Sequence, residues 1–492
     1  MTKIKSKFSQ NPIRSWCIHQ SLDYPWRTII ISLLVTLLVG SGVKFFLIDD
    51  DMMKILPKNL ESRISWEAIQ EEFGVDSRGL SWVFNMYILV GLLSAPLMSK
   101  LSDRYGRRDI YLLDIALFAL GSLVVAISPN FWALLIGRAI QAFGAGGIFP
   151  VASAVIGDTL PPKRRGPALG LIGAVFGVAF LLGPLLGGIL LHWNWQWLFL
   201  VNLPVAGVVF WQASRLLPST TSPTQQPFDM LGTAILSIAL ISLTLGVSTI
   251  DIASFSTSLT SPTTLSLLLA TIIAVPFFWV VEKRAVDPVL HPKLLESREL
   301  KLVGVIAVGT GVAEAGMVFL PVLAVVGLGV ERYTASFMLL PLVLAMIVGS
   351  PLAGWMLARR GAKKIIQFGL LLVICGLITI GLPELSTTTF YLAGTMVGFG
   401  LSALLGAPLR YVVIRETPKQ QRGVGQGLLS LFLGVGRITG AALVGGFAAS
   451  RQENAVGYQE AYLLVAALIS LVVMLSAFLQ SDSPETINER AK

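Results

Sequence analysis

Cysteine is nearly absent from the 492 residues: Cys17 and Cys375 are the only two, too few for a disulfide framework or a thiolate metal site. Histidine is as sparse, and His19, His192 and His291 fall in unrelated segments. Charge is scarce too, at 13% Asp, Glu, Lys and Arg, where soluble domains carry about 25%. No G-x-x-x-x-G-K-S/T phosphate cradle occurs, so ATP hydrolysis within the chain is not expected. Carboxylates, serines and histidines show no catalytic spacing, and the chain reads as a non-enzyme without cofactor or metal. What it has in excess is apolar: 54% of residues are hydrophobic, with a mean hydropathy of +0.75. They come in runs of about 20, the length a helix needs to cross a bilayer with its backbone hydrogen bonds satisfied internally. The 47 glycines and 25 prolines suit membrane helices, where small residues let backbones approach closely.

Fourteen such runs are read at 27–48, 80–99, 109–128, 131–154, 167–191, 195–213, 229–249, 264–281, 301–325, 335–357, 364–382, 389–409, 423–447 and 461–479. Basic residues test the map, because loops on the cytoplasmic side are enriched in Lys and Arg. With both termini inside, 28 of the 37 basic residues fall on inner segments and six on outer ones, while Lys44, Arg138 and Arg437 lie within spans. The +9 charge thus reports topology and forms no single groove for nucleic acid.

The chain divides into a cytoplasmic N-terminal tail (1–26), a six-helix half (27–213), a linker region with two extra membrane helices (214–300), a second six-helix half (301–480) and a cytoplasmic tail (481–492). The outer loop 49–79 is long and acidic, with eight carboxylates against four basic residues. In it Trp66, Ile69 and Phe73 recur at helical spacing, which predicts a short amphipathic helix at the outer interface. It reads either as a cap or as an entrance that gathers cations. The halves echo one another: Gly106 among basic residues after span 2 matches Gly361 after span 10, and Arg165-Gly166 matches Arg422-Gly423, at offsets of 255 and 257 residues. Repeated halves around a midplane site are the construction of an alternating-access transporter.

Residues 99 to 108, Ser-Lys-Leu-Ser-Asp-Arg-Tyr-Gly-Arg-Arg, resemble the G-x-L-x-D-R-x-G-R-R signature of the major facilitator superfamily, with Ser99 in place of the first glycine. Arg138 to Gly144, Gly177 to Gly188, Phe199 to Pro204 and Phe228 to Gly232 are similar to landmarks of its fourteen-span drug:proton antiporter branch. The resemblance covers about residues 80 to 480. The end of span 1 departs from it, giving Asp49-Asp50-Asp51 and Lys54 to Pro57 where the branch has an Asp followed by a Thr-Ile-Val-Asn-like stretch. The resemblance implies an all-α polytopic membrane protein of major facilitator fold, with two six-helix halves and two additional central helices. It also implies that Arg138 serves proton coupling and that the 99–108 motif stabilises an outward-facing state.

Asp103, Arg104, Gly106, Arg107 and Arg108, with Arg359 and Gly361 in the second half, are read as gating residues in short cytoplasmic loops. Arg138 lies inside span 4, where a guanidinium needs a cavity or a partner, and Gln141 shares its helical face. Glu314 stands mid-span among Gly309, Gly311, Ala313, Ala315 and Gly316. Carboxylates at that depth exchange protons near neutral pH, so Glu314 is read as the proton site or the partner of a cationic substrate. Asp49, Asp50 and Asp51 are the alternative carboxylates. Asp114, near the start of span 3, serves either the positive end of that helix or coupling. Arg437 binds an anionic group or neutralises Glu314. Gly177, Gly183, Pro184, Gly187 and Gly188 are read as packing and bending elements, and Trp193, Trp195 and Trp197 as interfacial aromatics.

These readings give a proton-coupled secondary transporter that exports hydrophobic or amphipathic small molecules. Its expected partners are a small-molecule substrate, protons and membrane lipid, with an adaptor protein as a further possibility, in a bacterial cytoplasmic membrane. The alternatives are a transporter of a defined metabolite, including an anionic one bound by Arg138 and Arg437, and a non-transporting scaffold or sensor.

Overall fold

The computed structural model describes residues 69–75, 77–191, 193–218, 229–250, 255–451 and 454–481. Span 1 (27–48) and Asp49, Asp50, Asp51 and Trp66 lie outside the described residues. The first half contains α1 (Ser77–Tyr105), α2 (Arg107–Ala126), α3 (Phe131–Thr159), α4 (Pro162–Leu191) and α5 (Trp197–Leu216). Next come α6 (Met230–Ser248) and α7 (Pro262–Glu282). The second half contains α8 (Arg298–Leu328), α9 (Leu340–Arg360), α10 (Ala362–Gly381), α11 (Thr387–Glu416), α12 (Arg422–Ser450) and α13 (Ala455–Ser476). Among the described residues, 12 helices are long and apolar enough to cross a membrane.

Local chemistry sets where these helices begin. Asn130, Asp229, Ser261, Ser297, Ser386 and Asn454 each accept a hydrogen bond from a backbone N–H in the first turn of the following helix, satisfying donors that have no partner inside the helix. Two helices of the second half are discontinuous. In α8 the backbone tightens into a 3-10 turn at Met317–Phe319, where Pro321 has no N–H to return to the preceding turn. In α11 the helix stops at Leu405 and restarts at Ala407, with Pro408 placed where its missing donor does no harm.

The halves meet along two seams, α1 against α12 and α4 against α9. Small residues make both possible. A Cβ on Gly354 would strike the backbone of Gly166 and Gly170, and one on Gly427 would strike Ser99 and Pro96. Ser350 Oγ crosses the second seam to donate to the Gly170 carbonyl at 2.8 Å. Helices α6 and α7 pack on each other, with α6 also touching α1 and α12. The large apolar side chains Ile272, Ile273 and Phe277 of α7 are exposed, the surface a lipid-facing helix presents.

Several expectations need correction. The signature is not a loop: α1 runs to Tyr105 and α2 begins at Arg107, leaving only Gly106 between them at φ +105°, a conformation that disfavours any side chain. Gly361 makes the equivalent turn at φ +77°. Asp114 does not sit at the start of its helix but seven residues into α2, fully buried, beyond the first turn over which the helix dipole acts. Trp195 is not an interfacial aromatic. It is buried, donates to Glu72 at 2.6 Å and packs edge-on to Phe73 and Phe199, whereas Trp193 and Trp197 are exposed. Span 12 does not end at 409, because α11 continues to Glu416 and carries Arg410 inside it, fully shielded from water.

Because backbone faces Gly354, Gly354→Val cannot be absorbed by rotamer changes. We expect it to destabilise the protein by about 1–3 kcal/mol. The check is thermal unfolding in detergent beside Gly207→Val, whose Cβ meets open space and which leaves the transition in place.

Candidate functional site

A cavity of about 220 Å³ lies between the halves. The first half lines it with Phe84, Tyr87, Phe149, Phe176 and Arg138, and the second half with Glu314, Arg410, Leu433 and Arg437. The walls are mainly apolar, and the Phe149 and Phe176 rings stack at 5.0 Å. Four charged groups interrupt them.

Arg138 is deeply held. Its Nε donates to the Val83 carbonyl at 3.1 Å and its NH1 to Gln141 Oε1 at 2.6 Å. Gln141 in turn donates to Ser122 Oγ at 2.7 Å, and the guanidinium lies 4.2 Å from the centre of the Tyr87 ring. Arg138 and Gln141, which share a helical face, are thus hydrogen-bonded to each other, and hydrogen bonds and a ring face together solvate the charge.

Opposite it, Arg437 Nε donates to Glu314 Oε2 at 2.9 Å. Glu314 is buried, while the Arg437 side chain is 37% exposed, so this ion pair opens on its cationic side. Glu314 stands three residues before the 3-10 break in α8. The α8–α12 contact that brings the two together depends on glycine: a Cβ on Gly311, Gly436 or Gly440 would strike the facing backbone.

Arg410 lies just past the expected end of span 12 at 409 and is a cavity residue. It follows the Gly406 break by four positions. Its NH1 donates to Ser153 Oγ of the first half at 3.2 Å and to Gln426 at 3.5 Å, while its Nε has no acceptor among the described residues. The signal that could have found it is Gly406-Ala-Pro408, which restarts a helix rather than ending one. Asp114 is not brought to the cavity. Its carboxyl sits against Gly147, and neither oxygen has a hydrogen-bond partner among the described residues.

A second polar cluster closes the end of the bundle where Gly106 and Gly361 turn. Asp103 of α1 accepts from Gly423 N at 3.0 Å and Val424 N at 2.7 Å, so a carboxylate of one half caps the N-terminus of α12 in the other. Arg107 pairs with Asp103 and at 3.1 Å with Asp158. Arg422 crosses between the halves to Asp158 at 3.0 Å and to the Gly157 carbonyl at 2.6 Å. Arg108 donates to the Ser214 carbonyl. Asp158 had escaped the sequence reading. Its signal is a carboxylate at the C-terminal end of a helix, where the dipole disfavours it unless cations hold it. Arg104 lies 3.6 Å from Asp287 of the α7–α8 linker, which also pairs with Lys100. Beside them His291 is held below the ordinary imidazole range, by burial first and then by the Lys100 charge, against the pull of Asp287.

Among the described residues, the turn at Gly361 shows no such clasp. Ala358 stands where repeat symmetry would place an aspartate, and Arg359 is exposed, stacked 3.9 Å from the Trp355 ring. Gly177 packs against Met346 and Ile347 of α9, as a packing residue should. Gly183, Pro184, Gly187 and Gly188 are helical residues of α4.

The sequence pattern of the Major Facilitator Superfamily matches residues 62–380 and again 302–492. The chain belongs to that superfamily. Its membership makes it a multi-pass membrane transporter and not an enzyme. Among superfamily relatives, the chain is 34% identical over 386 residues to the uncharacterized MFS-type transporter YfiU of Bacillus subtilis, covering 77% of this chain and 74% of the relative. It is 27% identical over 378 residues to the multidrug transporter protein MdtP of the same organism, covering 76% and 69%. The human organic anion transporter MFSD10 (TETRAN) shares the fold, with a TM-score of 0.65 at 20% identity over 95% of this chain and 100% of that one.

Asp158→Ala removes the acceptor that Arg107 and Arg422 share. With about 1.5–3 kcal/mol for a charge-assisted bond, the population open at this end should rise about tenfold or more. Spin labels on the exposed Tyr105 and Lys419 should report a longer distance in the variant than in the wild type.

Proposed function

We propose that this superfamily member is a proton-coupled antiporter that exports hydrophobic or amphipathic small molecules by alternating access. The observation that carries the reading is the Glu314–Arg437 pair, 2.9 Å long and facing a cavity built by both halves. A protonated Glu314 cannot hold Arg437 as an ion pair, so uptake of a proton rearranges the cavity wall and its release restores it. An exported molecule that needs the ionised carboxylate then competes with the proton, which is the condition for exchange. The apolar walls suit a hydrophobic body.

The polar clasp around Asp103 and Asp158 is the cytoplasmic gate, closed in the outward-facing state. We assign the chain to the fourteen-span drug:proton antiporter branch, with α6 and α7, which pack on each other, as the two additional central helices. Enrichment of basic residues at the clasped end supports a cytoplasmic placement of that end and of both termini, in a bacterial inner membrane. Arg138, with its bonds to Gln141 and Val83, is a fixed charge that steers the proton and the substrate.

Glu314→Gln keeps the size of the side chain and removes its proton chemistry. In proteoliposomes carrying the purified protein, an imposed pH gradient should drive substrate accumulation with the native chain and not with the variant. Downhill exchange of labelled for unlabelled substrate should persist. Accumulation that follows the pH gradient in Glu314→Gln as it does in the native protein would remove Glu314 from coupling.

A further inference from the structure

The charges that face the cavity do not cancel. Among the described residues, Arg138, Arg410 and Arg437 meet Glu314 alone. A cationic molecule entering this cavity adds to an existing positive excess in a water-poor site, where like charges interact strongly. An acidic group reduces that excess.

The arginines are not equivalent as receptors. Arg138 is engaged by a carbonyl, an amide and a ring. Among the described residues, Arg410 is held at NH1 by a neutral hydroxyl and a neutral amide, and its buried Nε lacks an acceptor. Guanidinium groups bind carboxylates through two parallel N–H bonds, and the Nε edge of Arg410 leaves one such donor unmatched. Arg437, the most open of the charged groups, lies close enough to Arg410 for the two cations to act on each other, with Glu314 also in reach. Two guanidinium groups beside one carboxylate form a template for an acid and an amine held a short distance apart.

We propose that the transported molecule is an amphipathic zwitterion, whose acidic group lies on Arg410 and Arg437, whose amine lies on Glu314, and whose apolar body rests among Phe84, Phe149 and Phe176. The assignment of the acid rests on the cavity's charges alone, and that of the amine rests on the antiport reading. An acid that took Glu314's place on Arg437 would leave that carboxylate without its cation and draw a proton in with it, which is the sign of cotransport. An amine needs the ionised carboxylate and drives the proton out, which is the sign of exchange.

The test uses the full-length protein and one naphthyl scaffold bearing a carboxylate, an amine, both or neither. Binding is measured by equilibrium dialysis on the detergent-solubilised protein, and transport is measured in proteoliposomes under a pH gradient. The zwitterion should bind at least about tenfold more tightly than the amine-only probe, as one charge-assisted contact implies. Arg410→Gln should weaken the two acid-bearing probes about tenfold and leave the other two unchanged, with Arg410→Lys recovering part of the loss. An amine-only probe that binds as tightly as the zwitterion, or an equal loss for all four probes in Arg410→Gln, overturns the proposal. If the variant does not fold, the ranking on the native protein decides by itself. A zwitterion preference without proton-driven transport overturns the antiport reading and leaves the acid subsite standing. Proton exchange with an amine-only preference does the reverse.

Discussion

A charge buried in an apolar bundle has to be neutralised or solvated by its neighbours, and that requirement organises this protein. Moving an ion out of water costs several kcal/mol even after relaxation, so each buried guanidinium fixes the elements around it. Arg138 ties α3 to α1 through Val83. Arg410 ties α11 to α3 through Ser153, and Arg437 ties α12 to α8 through Glu314. Neither half completes the cavity alone, and at its wall Arg410 joins the second half to the first through Ser153.

Much of this was legible in the chain. Runs of about 20 apolar residues located every described membrane helix, because hydrocarbon thickness leaves little freedom in length. Glu314 and Arg437 stood out as charges where hydrophobicity was otherwise unbroken, and the structure brings them together. Arg410 and Asp158 escaped for the opposite reason. Each lies where an apolar run fades into a charged segment, and a linear reading credits such residues to the loop. Depth in a folded bundle depends on where the helix ends, and α11 runs seven residues past the boundary drawn at 409. The pairing of Asp103 with backbone N–H groups of α12 was likewise invisible, since it depends on the crossing of two helices 320 residues apart in sequence.

The discontinuities in α8 and α11 fall beside Glu314 and Arg410. Interrupted helices free backbone groups that only a cavity or a protein-lined interior can accommodate, and transporters place their sites at such interruptions. Here the two interrupted helices beside the cavity charges belong to the second half, along with three of the four charges facing the cavity. The first half contributes aromatic rings and Arg138, which is held by Val83, Gln141 and the Tyr87 ring. The charged groups of the cavity are therefore concentrated in the second half, and the first half supplies its aromatic wall.

Across the end clasped by Asp103 and Asp158 the two seams differ in kind. Where α1 meets α12 the contact is a set of directional bonds centred on Asp103 and Asp158. Where α4 meets α9 it is largely glycine face on glycine face, joined by the Ser350 bond to the Gly170 carbonyl. Directional bonds give way abruptly and together, whereas smooth backbone surfaces slide with little change in energy. On the function proposed above, the pseudo-symmetric pair acts as a door hung on one edge, with its latch on α1 and α12 and its hinge on α4 and α9.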